Sequence, residues 1–330
     1  MKALVTGGGG FLGGAIVREL LDRGATVRTF QRGDYPELNK LGVEVCRGDL
    51  VDRTAVEEAI DGCDVVFHVA ARAGVWGEFD DYYRCNVNGT RHVIDACIKQ
   101  GVTRLIYTST PSVVFSGEDE ENINESSPYP SHFFNAYQET KALAERGVLM
   151  ANNSSLATIA LRPHLIWGPD DPHLVPRIIE RARAGKLKLV GNCTNLVDST
   201  YIDNAALAHI LAADNLQPGS PCAGKSYFIS NGEPITMADL INRILAAAHL
   251  PPVTKTVSPW VANAAGTVLE CIYHVLRIKK EPLMTRFVAR QLKSAHWFDL
   301  SAAKRDLGYK PVVTIDEGMQ HLQQSLMKSN

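Results

Sequence analysis

Tyr137 and Lys141 stand four residues apart in the segment Asn-Ala-Tyr-Gln-Glu-Thr-Lys-Ala, which begins at position 135. On a helix, this spacing places both side chains on one face. A phenol has a pKa of about 10 in water, and a neighbouring ammonium group favours its ionised form. Hydride transfer to a ketone builds negative charge on oxygen, which such a phenol can neutralise with a proton. We therefore predict a catalytic acid/base at Tyr137, assisted by Lys141; a solvated aromatic–cation pair is the alternative.

A run of hydroxyl side chains near position 110 offers a third group to hold the carbonyl oxygen. The run lies at the end of a predicted strand, where successive side chains point to opposite faces. Only one of Ser109 and Thr110 is therefore expected to face the site. Pro111 is expected to end the strand, which makes Ser112 the alternative.

Four consecutive glycines, followed by Gly13, connect the first predicted strand to the first predicted helix. Gly7 permits a tight turn, Gly10 allows close approach of the backbone to a pyrophosphate, and Gly13 lets helix and strand pack closely. The helix begins at Phe11 and Leu12, where free N–H groups and the helix dipole favour a negative charge. The loop predicts a dinucleotide site; a merely flexible loop is the alternative.

The residues after the second predicted strand bear on the choice between NADH and NADPH. An NAD site carries Asp or Glu there, which accepts hydrogen bonds from the ribose. This chain has Gln31 and Arg32, and no carboxylate until Asp34. Arg32 can offer several donors to a 2′-phosphate, and we expect no acid there to repel that phosphate. We predict NADPH rather than NADH, with Asp49 and Leu50 bordering the adenine; a solvated arginine is the alternative.

Short apolar runs alternate with helical patterns through the first half of the chain. Strands are predicted at 3–5, 26–30, 43–46, 64–69, 104–109 and 157–161. Helices are predicted at 11–23, 53–60, 83–100, about 135–152 and after Asp203. Strand–helix alternation at this spacing requires parallel strands joined by helical crossovers. The predicted fold class is therefore α/β, a doubly wound parallel sheet with a smaller, mostly helical part.

The pattern changes after Trp167, where prolines and aspartates cluster, and helical segments dominate from 235 onward. We assign residues 1–166 to a dinucleotide-binding domain, which residues 199–216 complete. Residues 167–198 and 217–330 are predicted to form the substrate-binding part. This part should cover the carboxyl edge of the sheet, where ligands bind in open α/β folds.

Composition and charge exclude several classes of protein. The chain has 330 residues, of which 45% are hydrophobic and 21% charged, a balance typical of a globular protein. A net charge of -2 gives no basic surface for nucleic acid. Seven cysteines never occur as Cys-x-x-Cys, which predicts free thiols in a reducing cytoplasm and no metal site. We expect neither a signal peptide nor a membrane span, which needs about 18 uncharged apolar residues.

The segment 260–278 is mostly apolar and leads into a basic cluster of Arg277, Lys279 and Lys280. We predict that it forms a helix roofing the substrate channel. An interfacial helix that touches a membrane or a partner enzyme is the second interpretation, because the apolar face ends in cations. A plain core helix is the third.

The glycine loop, the Tyr137/Lys141 pair and the hydroxyl run resemble those of the extended short-chain dehydrogenase/reductases, in the branch of the 3β-hydroxysteroid dehydrogenases. Leu-Arg-Pro-His-Leu-Ile-Trp-Gly-Pro at 161–169 and Thr-Tyr-Ile-Asp-Asn at 200–204 are also similar to that branch. The similarity covers essentially the whole chain. It implies a Rossmann-like fold and an NAD(P)-dependent oxidoreductase.

The resemblance also assigns individual residues. It implies that Asn86 and Pro163 lie near the cofactor, and that Tyr137 and Lys141 contact it as well. Thr110 stands where the family usually has serine, so a hydroxyl is retained, while Ser109 and Ser112 stay open as alternatives. The family further implies a homodimer built from the helices near 83–100 and 135–152.

Within this branch, four segments are similar to reductases of long-chain 2-alkyl-3-keto acids in bacterial olefin biosynthesis. The segments are 30–36, 104–113, 195–204 and 223–234. The similarity implies NADPH-dependent reduction of a hydrophobic 2-alkyl-3-oxoalkanoate to the 3-hydroxy acid. Partner enzymes would then convert that product to a β-lactone, through a β-lactone synthetase, and to an alkene.

Such a keto acid needs a cation for its carboxylate. Arg72, His164 and Arg177 are the candidates near the carboxyl edge of the sheet, with Ser112 as a further substrate contact. An arginine fork suits a carboxylate best, although each residue could instead be a surface charge or a capping residue.

Two other functions use the same parts. An NAD(P)-dependent 3β-hydroxysteroid or sterol-4α-carboxylate 3-dehydrogenase would share the catalytic residues, and Gln31 and Arg32 disfavour an NAD-driven oxidation. A non-catalytic dinucleotide-binding sensor could dispense with the tyrosine and lysine, so the intact Tyr137/Lys141 pair disfavours that alternative.

Overall fold

The computed structural model describes residues 1–328 and places strands throughout the chain. In chain order, the strands are β1 (Lys2–Thr6), β2 (Thr26–Gln31), β3 (Glu44–Arg47), β4 (Val65–His68), β5 (Arg104–Thr108), β6 (Glu120–Ile123), β7 (Ala157–Pro163), β8 (Ile166–Trp167), β9 (Leu189–Val190), β10 (Leu196–Val197), β11 (Thr200–Tyr201), β12 (Lys225–Ile229), β13 (Ile235–Thr236), β14 (Thr256–Val257) and β15 (His296–Phe298). Seven of them form one sheet in the order β12-β7-β5-β4-β1-β2-β3. A four-stranded sheet has the order β13-β10-β15-β6, and two pairs, β11-β8 and β14-β9, are separate.

Helices connect most of these strands. In chain order, they are α1 (Phe11–Asp22), α2 (Pro36–Lys40), α3 (Arg53–Ile60), α4 (Phe79–Tyr82), α5 (Gly89–Gln100), α6 (Ala136–Met150), α7 (Leu174–Arg183), α8 (Ile202–Asn215), α9 (Met237–Ala247), α10 (Pro259–Val275), α11 (Arg286–Lys293), α12 (Ser301–Leu307) and α13 (Ile315–Lys328). A π-helical turn, Tyr83–Asn88, joins α4 to α5, and a 3-10 turn, Pro111–Val113, follows β5.

The seven-stranded sheet is parallel throughout and covered on both faces. Its strand pairs all run in the same direction. β4 and β7 are buried along their whole length, as expected for strands between two helical layers. Helices α1 and α8 pack together on one face, and α3, α5 and α6 pack together on the other. The predicted doubly wound α/β fold is confirmed.

Local sequence signals fix the helix ends that matter for the site. The Asn135 side chain caps α6 by accepting a hydrogen bond from the Gln138 N–H at 2.8 Å. Asp52 caps α3 by accepting from the N–H groups of Thr54 and Ala55. Gly24 follows α1 with a φ of +74°, a left-handed conformation that favours glycine. These caps agree with the predicted starts and ends to within one or two residues.

The helix predicted at 83–100 differs from the structure in its first half. The π-helical turn Tyr83–Asn88 occupies that half, and the α-helical geometry begins at Gly89. The buried amide of Asn86 binds the loop after β4 through the Arg72 backbone N–H at 2.7 Å. This contact involves a residue outside the helix, so the spacing of apolar residues within 83–100 could not predict it.

The predicted division of the chain needs correction in two places. Strand β12, which was assigned to the substrate-binding part, pairs in parallel with β7 and forms the edge of the central sheet. Strand β6, which was assigned to the dinucleotide-binding domain, pairs with β15 in the smaller sheet. Both strands pair with partners far away in sequence, which local patterns do not reveal.

Helix α10 lies on the surface. Of its residues, Ala262 and Gly266 are buried, whereas Trp260 and Val275 are each 77% exposed. The core-helix interpretation is therefore wrong. Within residues 1–328, no helix has the length and apolar character needed to cross a bilayer.

Candidate active site

The loop between β1 and α1 forms a cradle with no room for side chains. Gly7 has a φ of +73°, in the left-handed region that favours glycine. A Cβ atom on Gly13 would lie 2.1 Å from the carbonyl oxygen of Gly7, and one on Gly9 would lie 2.2 Å from the ring of Tyr35. Gly10 is the N-cap of α1 and supplies no side-chain hydrogen bond. The first N–H groups of the helix therefore suit a phosphate ligand.

A cavity of about 730 Å³ extends over this loop along the carboxyl edge of the central sheet. Its size and its place at the strand ends are typical of a ligand site in an open α/β fold. Many of the predicted residues line it: Gly7, Gly10, Phe11, Leu12, Gly13, Arg32, Asp49, Leu50, Thr110, Tyr137, Lys141 and Pro163. In the structure as described, Arg72, Asn86, Ser112, His164 and Arg177 lie outside this lining. The glycine cradle and the cavity together fit a dinucleotide.

Tyr137 lies in the first turn of α6 and faces this cavity. Desolvation raises the pKa of its phenol to about 12, and a hydrogen bond with Thr110 acts in the opposite direction. The sequence suggested that the neighbouring Lys141 ammonium would lower this pKa; in this structure burial raises it instead. Tyr137 is therefore protonated at neutral pH, the state in which it can donate a proton.

Lys141 is 2% exposed and lines the same wall as Tyr137. Its Nζ atom donates a hydrogen bond to the Thr108 carbonyl oxygen at 2.6 Å and lies 4.2 Å from the ring centre of Tyr107. Desolvation lowers the pKa of Lys141 to about 7, and the Glu145 carboxylate opposes that shift. The charge of Lys141 is thus sensitive to small changes in its surroundings.

Ser109 and Thr110 both line the cavity, where β5 has ended at Thr108 and the chain turns at Pro111. Their hydroxyls have different surroundings: Ser109 Oγ is buried near the Glu145 carboxylate, whereas the Thr110 hydroxyl interacts with Tyr137. The different surroundings agree with the predicted alternation, in which only one of the two hydroxyls faces the site. Thr110 Oγ1 donates a hydrogen bond to Ser112 Oγ at 3.2 Å. Thr110 is thus the hydroxyl that interacts with both Tyr137 and Ser112.

Comparison with known proteins agrees with this geometry. The model of the 3-beta hydroxysteroid dehydrogenase/isomerase family matches residues 4–256. The chain belongs to this family. It is therefore an oxidoreductase, and the resemblance found in the sequence is confirmed.

Individual relatives span nearly the whole chain. A 2-alkyl-3-oxoalkanoate reductase of Shewanella oneidensis is 56% identical over 98% of this chain and 86% of its own length. A decarboxylating sterol-4-alpha-carboxylate 3-dehydrogenase of Mus musculus is 38% identical over 98% of this chain and 90% of its own length. The structure of a Thermus thermophilus UDP-glucose 4-epimerase complex with NAD is 25% identical and superimposes with a TM-score of 0.76 over 100% of both chains. The fold of this family member is thus shared by solved dinucleotide complexes.

The surroundings of Arg32 differ from the prediction. Arg32 lines the cavity and is largely exposed, but its Nη1 atom lies 3.8 Å from Asp49 Oδ2. The expectation that no acid lies near Arg32 is wrong, because β3 brings Asp49 beside the end of β2. The neighbouring Gln31 donates a hydrogen bond to Thr29 Oγ1 at 3.3 Å, so its amide is turned back toward the strand.

Asn86 supports the site in this family member from outside the cavity. Its Nδ2 atom donates hydrogen bonds to the Arg72 carbonyl and to Thr140 Oγ1, each at 3.1 Å. Thr140 precedes Lys141 on α6. Asn86 therefore connects the loop after β4 to the helix that carries Tyr137 and Lys141.

The predicted substrate cations are engaged elsewhere. Arg72 pairs with Asp81 at 3.4 Å, and Arg177 pairs with Glu281 at 2.8 Å. His164 is buried, and desolvation lowers its pKa well below the ordinary value of 6.5. The assignment of His164 as a cation needs correction, because a neutral imidazole cannot neutralise a carboxylate. Burial of this kind depends on packing and was not visible in the sequence.

Sequence reasoning missed Glu145, which is fully buried on α6. Arg162 donates hydrogen bonds to its two oxygens at 3.0 and 2.6 Å, and the Tyr129 hydroxyl donates at 2.6 Å. Glu145 follows Lys141 by four residues, as Lys141 follows Tyr137, so one face of α6 carries all three. That repeated spacing was the available signal.

Proposed function

We propose that the protein reduces a long-chain 2-alkyl-3-oxoalkanoate to the 2-alkyl-3-hydroxyalkanoate in bacterial olefin biosynthesis, with NADPH. The observation that carries this proposal is the position of Tyr137 in the glycine-lined cleft of a chain 56% identical to a 2-alkyl-3-oxoalkanoate reductase. Product would pass to a β-lactone synthetase and related pathway enzymes. A cytoplasmic location is part of the proposal and is supported by seven free cysteines.

When bound, the dinucleotide supplies the hydride that reduces carbon 3 of the keto acid. Tyr137 donates its Oη proton to the carbonyl oxygen as negative charge develops there, and the Thr110 hydroxyl binds the same oxygen. The Lys141 ammonium, on the same face of α6, stabilises the phenolate that remains until solvent returns the proton. The loop from Gly7 to Gly13 and Pro163 would hold the dinucleotide, with Leu50 and Asp49 beside the adenine.

A second candidate is oxidation of a sterol-4α-carboxylate at its 3-hydroxyl. The 38% identity to the mouse dehydrogenase favours it, and that reaction also produces a 3-keto acid. The same tyrosine and lysine would serve, with the proton moving in the opposite direction. The two candidates therefore differ in substrate shape and direction, and parallel assays separate them.

Arg32 provides the basis for NADPH preference. With a 2-alkyl-3-keto acid as substrate, we expect the kcat/KM of the wild type to be at least about tenfold higher with NADPH than with NADH. The reason is that the Arg32 guanidinium binds the 2′-phosphate, which NADH lacks. Arg32→Ala should remove most of this preference by raising the KM for NADPH. The measurement is the decrease in absorbance at 340 nm as NADPH or NADH is oxidised, with the keto acid as substrate and, in a parallel assay, with a 3-ketosteroid.

Arg53→Ala is the matched control, because Arg53 is an exposed arginine on α3 that pairs with Glu57. Arg53→Ala should leave kcat/KM unchanged with NADPH and with NADH. Equal kcat/KM values with NADPH and NADH in the wild type would contradict the NADPH assignment but not the proposed substrate. Turnover of the ketosteroid but not of the keto acid would contradict the proposed substrate.

Helix α10 is further proposed to contact an anionic lipid surface. Val261, Val268 and Ile272 form an exposed apolar stripe along it. The carboxylates in this region are neutralised, because Glu270 pairs with Arg286 and Glu281 with Arg177. The exposed cations that follow the helix, Arg277, Lys279 and Lys280, therefore dominate the local charge. An apolar stripe beside a basic cluster is typical of an interfacial helix.

The protein should float with vesicles rich in phosphatidylglycerol and less with phosphatidylcholine alone. Val268→Asp combined with Ile272→Asp should abolish flotation, since it places charges in the stripe. Val312→Asp is the control, as Val312 is also exposed but lies outside α10. Two results would contradict the lipid assignment. One is that, in the absence of lipid, the wild type self-associates and the double variant does not. The other is that a pathway enzyme copurifies with the wild type but not with the double variant.

A homodimer through α5 and α6 completes the proposal. Ile98 and Met150 are exposed apolar residues on these helices. A partner subunit would remove them from water.

A further inference from the structure

Residues 276–284, which we call the strap, connect α10 to α11 and contain no helix or strand. Arg277 has a φ of +51°, in the left-handed region, which ends α10 and turns the chain. Pro282 is buried, whereas Leu276 and Leu283 are 63% and 65% exposed. A segment with so little buried surface can open locally while the rest of the protein stays folded.

One side of the strap is attached to the loop after β4. Trp76, in this loop, donates a hydrogen bond from Nε1 to the Ile278 carbonyl oxygen at 3.0 Å. Its ring also packs edge-on against Tyr273, in the last turn of α10, with ring centres 6.1 Å apart. The same loop lines the large cavity through Ala73. The strap therefore begins beside the cavity that Tyr137 faces.

The other side of the strap is attached to α7. Arg177 pairs with Glu281 at 2.8 Å, and Arg181 donates a hydrogen bond from Nη2 to the Leu283 carbonyl oxygen at 2.9 Å. The spacing of four residues places both arginines on one face of α7. His173, four residues before Arg177, lines the large cavity. The strap is therefore attached to the helix that starts at this cavity.

These two attachments lie on either side of the reacting centre. Strand β5 lies between β4 and β7 in the central sheet, and Thr110 follows its carboxyl end. The loop that carries Trp76 follows β4, whereas α7 follows β7 after the short strand β8. A segment attached to both therefore crosses above the end of β5.

The electrostatic effects of Glu281 agree with this path. Burial is the main cause of the raised pKa of Tyr82 on α4, and the Glu281 carboxylate contributes to it. Burial also lowers the pKa of Arg181 on α7, and Glu281 opposes that shift. One carboxylate of the strap thus acts on both sides of the site. Desolvation is the main cause of the raised pKa of Tyr137, and Tyr82 contributes to it. The strap therefore lies close to the reacting phenol.

We infer that the strap is a gate over the reacting centre, which opens to admit the keto acid and closes during its reduction. The inference rests on the proposed function, because the two alkyl chains of that substrate need a wide opening. Polar contacts from Trp76, Arg177 and Arg181 hold the strap closed. Contacts of this kind at partly exposed sites are individually weak, so the strap can open without unfolding the protein. Closure would exclude water from the reaction.

Trp76→Phe combined with Arg181→Gln tests the gate. The double variant loses two hydrogen bonds to strap carbonyls and keeps an aromatic ring beside Tyr273. A gate slows entry and exit alike, so both rate constants for a long-chain 2-alkyl-3-hydroxyalkanoate should rise at least about fivefold, with Kd within about twofold. Stopped-flow fluorescence of the enzyme–NADPH complex measures them, since NADPH and the hydroxy acid do not react. The Kd of NADPH should stay within about twofold.

Trypsin digestion reports whether the strap has been loosened. Cleavage after Lys279 or Lys280 requires the strap to leave its contacts, so mass spectrometry should find faster cleavage there in the double variant. Trp260→Phe combined with Arg183→Gln is the matched control. Trp260 is exposed at the opposite end of α10, and Arg183 is exposed on α7. The control should change neither the cleavage of the strap nor the rate constants.

Faster cleavage of the strap with unchanged rate constants would overturn the gate, because a loosened strap would then not limit access. Unchanged cleavage with unchanged rate constants would also overturn it, since these contacts would not hold the strap. A rise in the dissociation rate constant alone would show that Trp76 or Arg181 binds the ligand instead. A wild type that binds NADPH but not the hydroxy acid would contradict the proposed substrate, and with it the admission of that substrate by the strap.

Discussion

Tyr137→Phe should lower kcat for keto acid reduction by about a thousandfold, the usual contribution of a positioned general acid. The phenol is the proton donor in the proposed reaction, and its pKa, raised to about 12, keeps it protonated across the neutral range. Phenylalanine retains the ring and removes only the hydroxyl. The dinucleotide Kd should therefore stay within about twofold of wild type. Single-turnover kinetics and fluorescence titration with NADPH measure the two quantities.

Tyr82→Phe is a useful comparison for this experiment. The Tyr82 hydroxyl donates to the Gly74 carbonyl at 2.9 Å and holds the loop after β4. We expect it to change KM more than kcat, because it positions that loop without a role in proton transfer. If Tyr137→Phe kept most of its kcat, the acid/base assignment would be wrong, and Thr110 or Ser109 would have to supply the proton.

Glu145→Gln should lower the free energy of unfolding by about 3 kcal/mol or more, since it leaves Arg162 as an uncompensated buried charge. Both side chains are almost completely buried, at 0% and 3% exposure. The variant should also affect catalysis. The Glu145 carboxylate raises the pKa of Lys141, which is about 7 in the wild type, so its removal should lower that pKa. The ammonium is then lost at a lower pH, and the alkaline limb of kcat/KM should move to lower pH.

Urea denaturation and a pH profile of kcat/KM test these two effects separately. Glu145→Leu combined with Arg162→Met should regain most of the stability, because an apolar pair can replace a buried ion pair. The double variant should still show the shifted pH profile, since it also lacks the carboxylate. A normal profile in both variants would show that Glu145 stabilises the fold without affecting Lys141.

The sequence predicted the central fold well because that information is local. Strand and helix periods located α1, α3 and α6 to within one or two residues. The same reasoning failed where segments far apart in sequence meet. It placed β12 outside the central sheet, although Lys225–Ile229 pairs with Ala157–Pro163.

The sequence by itself determined which residues could do chemistry. The glycine loop and the spacing of Tyr137 and Lys141 are properties of adjacent residues, and the structure places them around one cavity. Only the tertiary structure decided the electrostatic state of these groups. Packing around His164 keeps its imidazole neutral, and Glu145 reaches the surroundings of Lys141 with Arg162 as its partner.

The same distinction applies to the substrate side. From the sequence, Arg72, His164 and Arg177 were the candidates to bind the carboxylate. The fold pairs Arg72 with Asp81 and Arg177 with Glu281, and burial keeps His164 neutral. Desolvation and pairing depend on atoms brought together from distant parts of the chain. For that reason, charge and donor availability were decided by tertiary structure, whereas residue type and spacing were already present in the sequence.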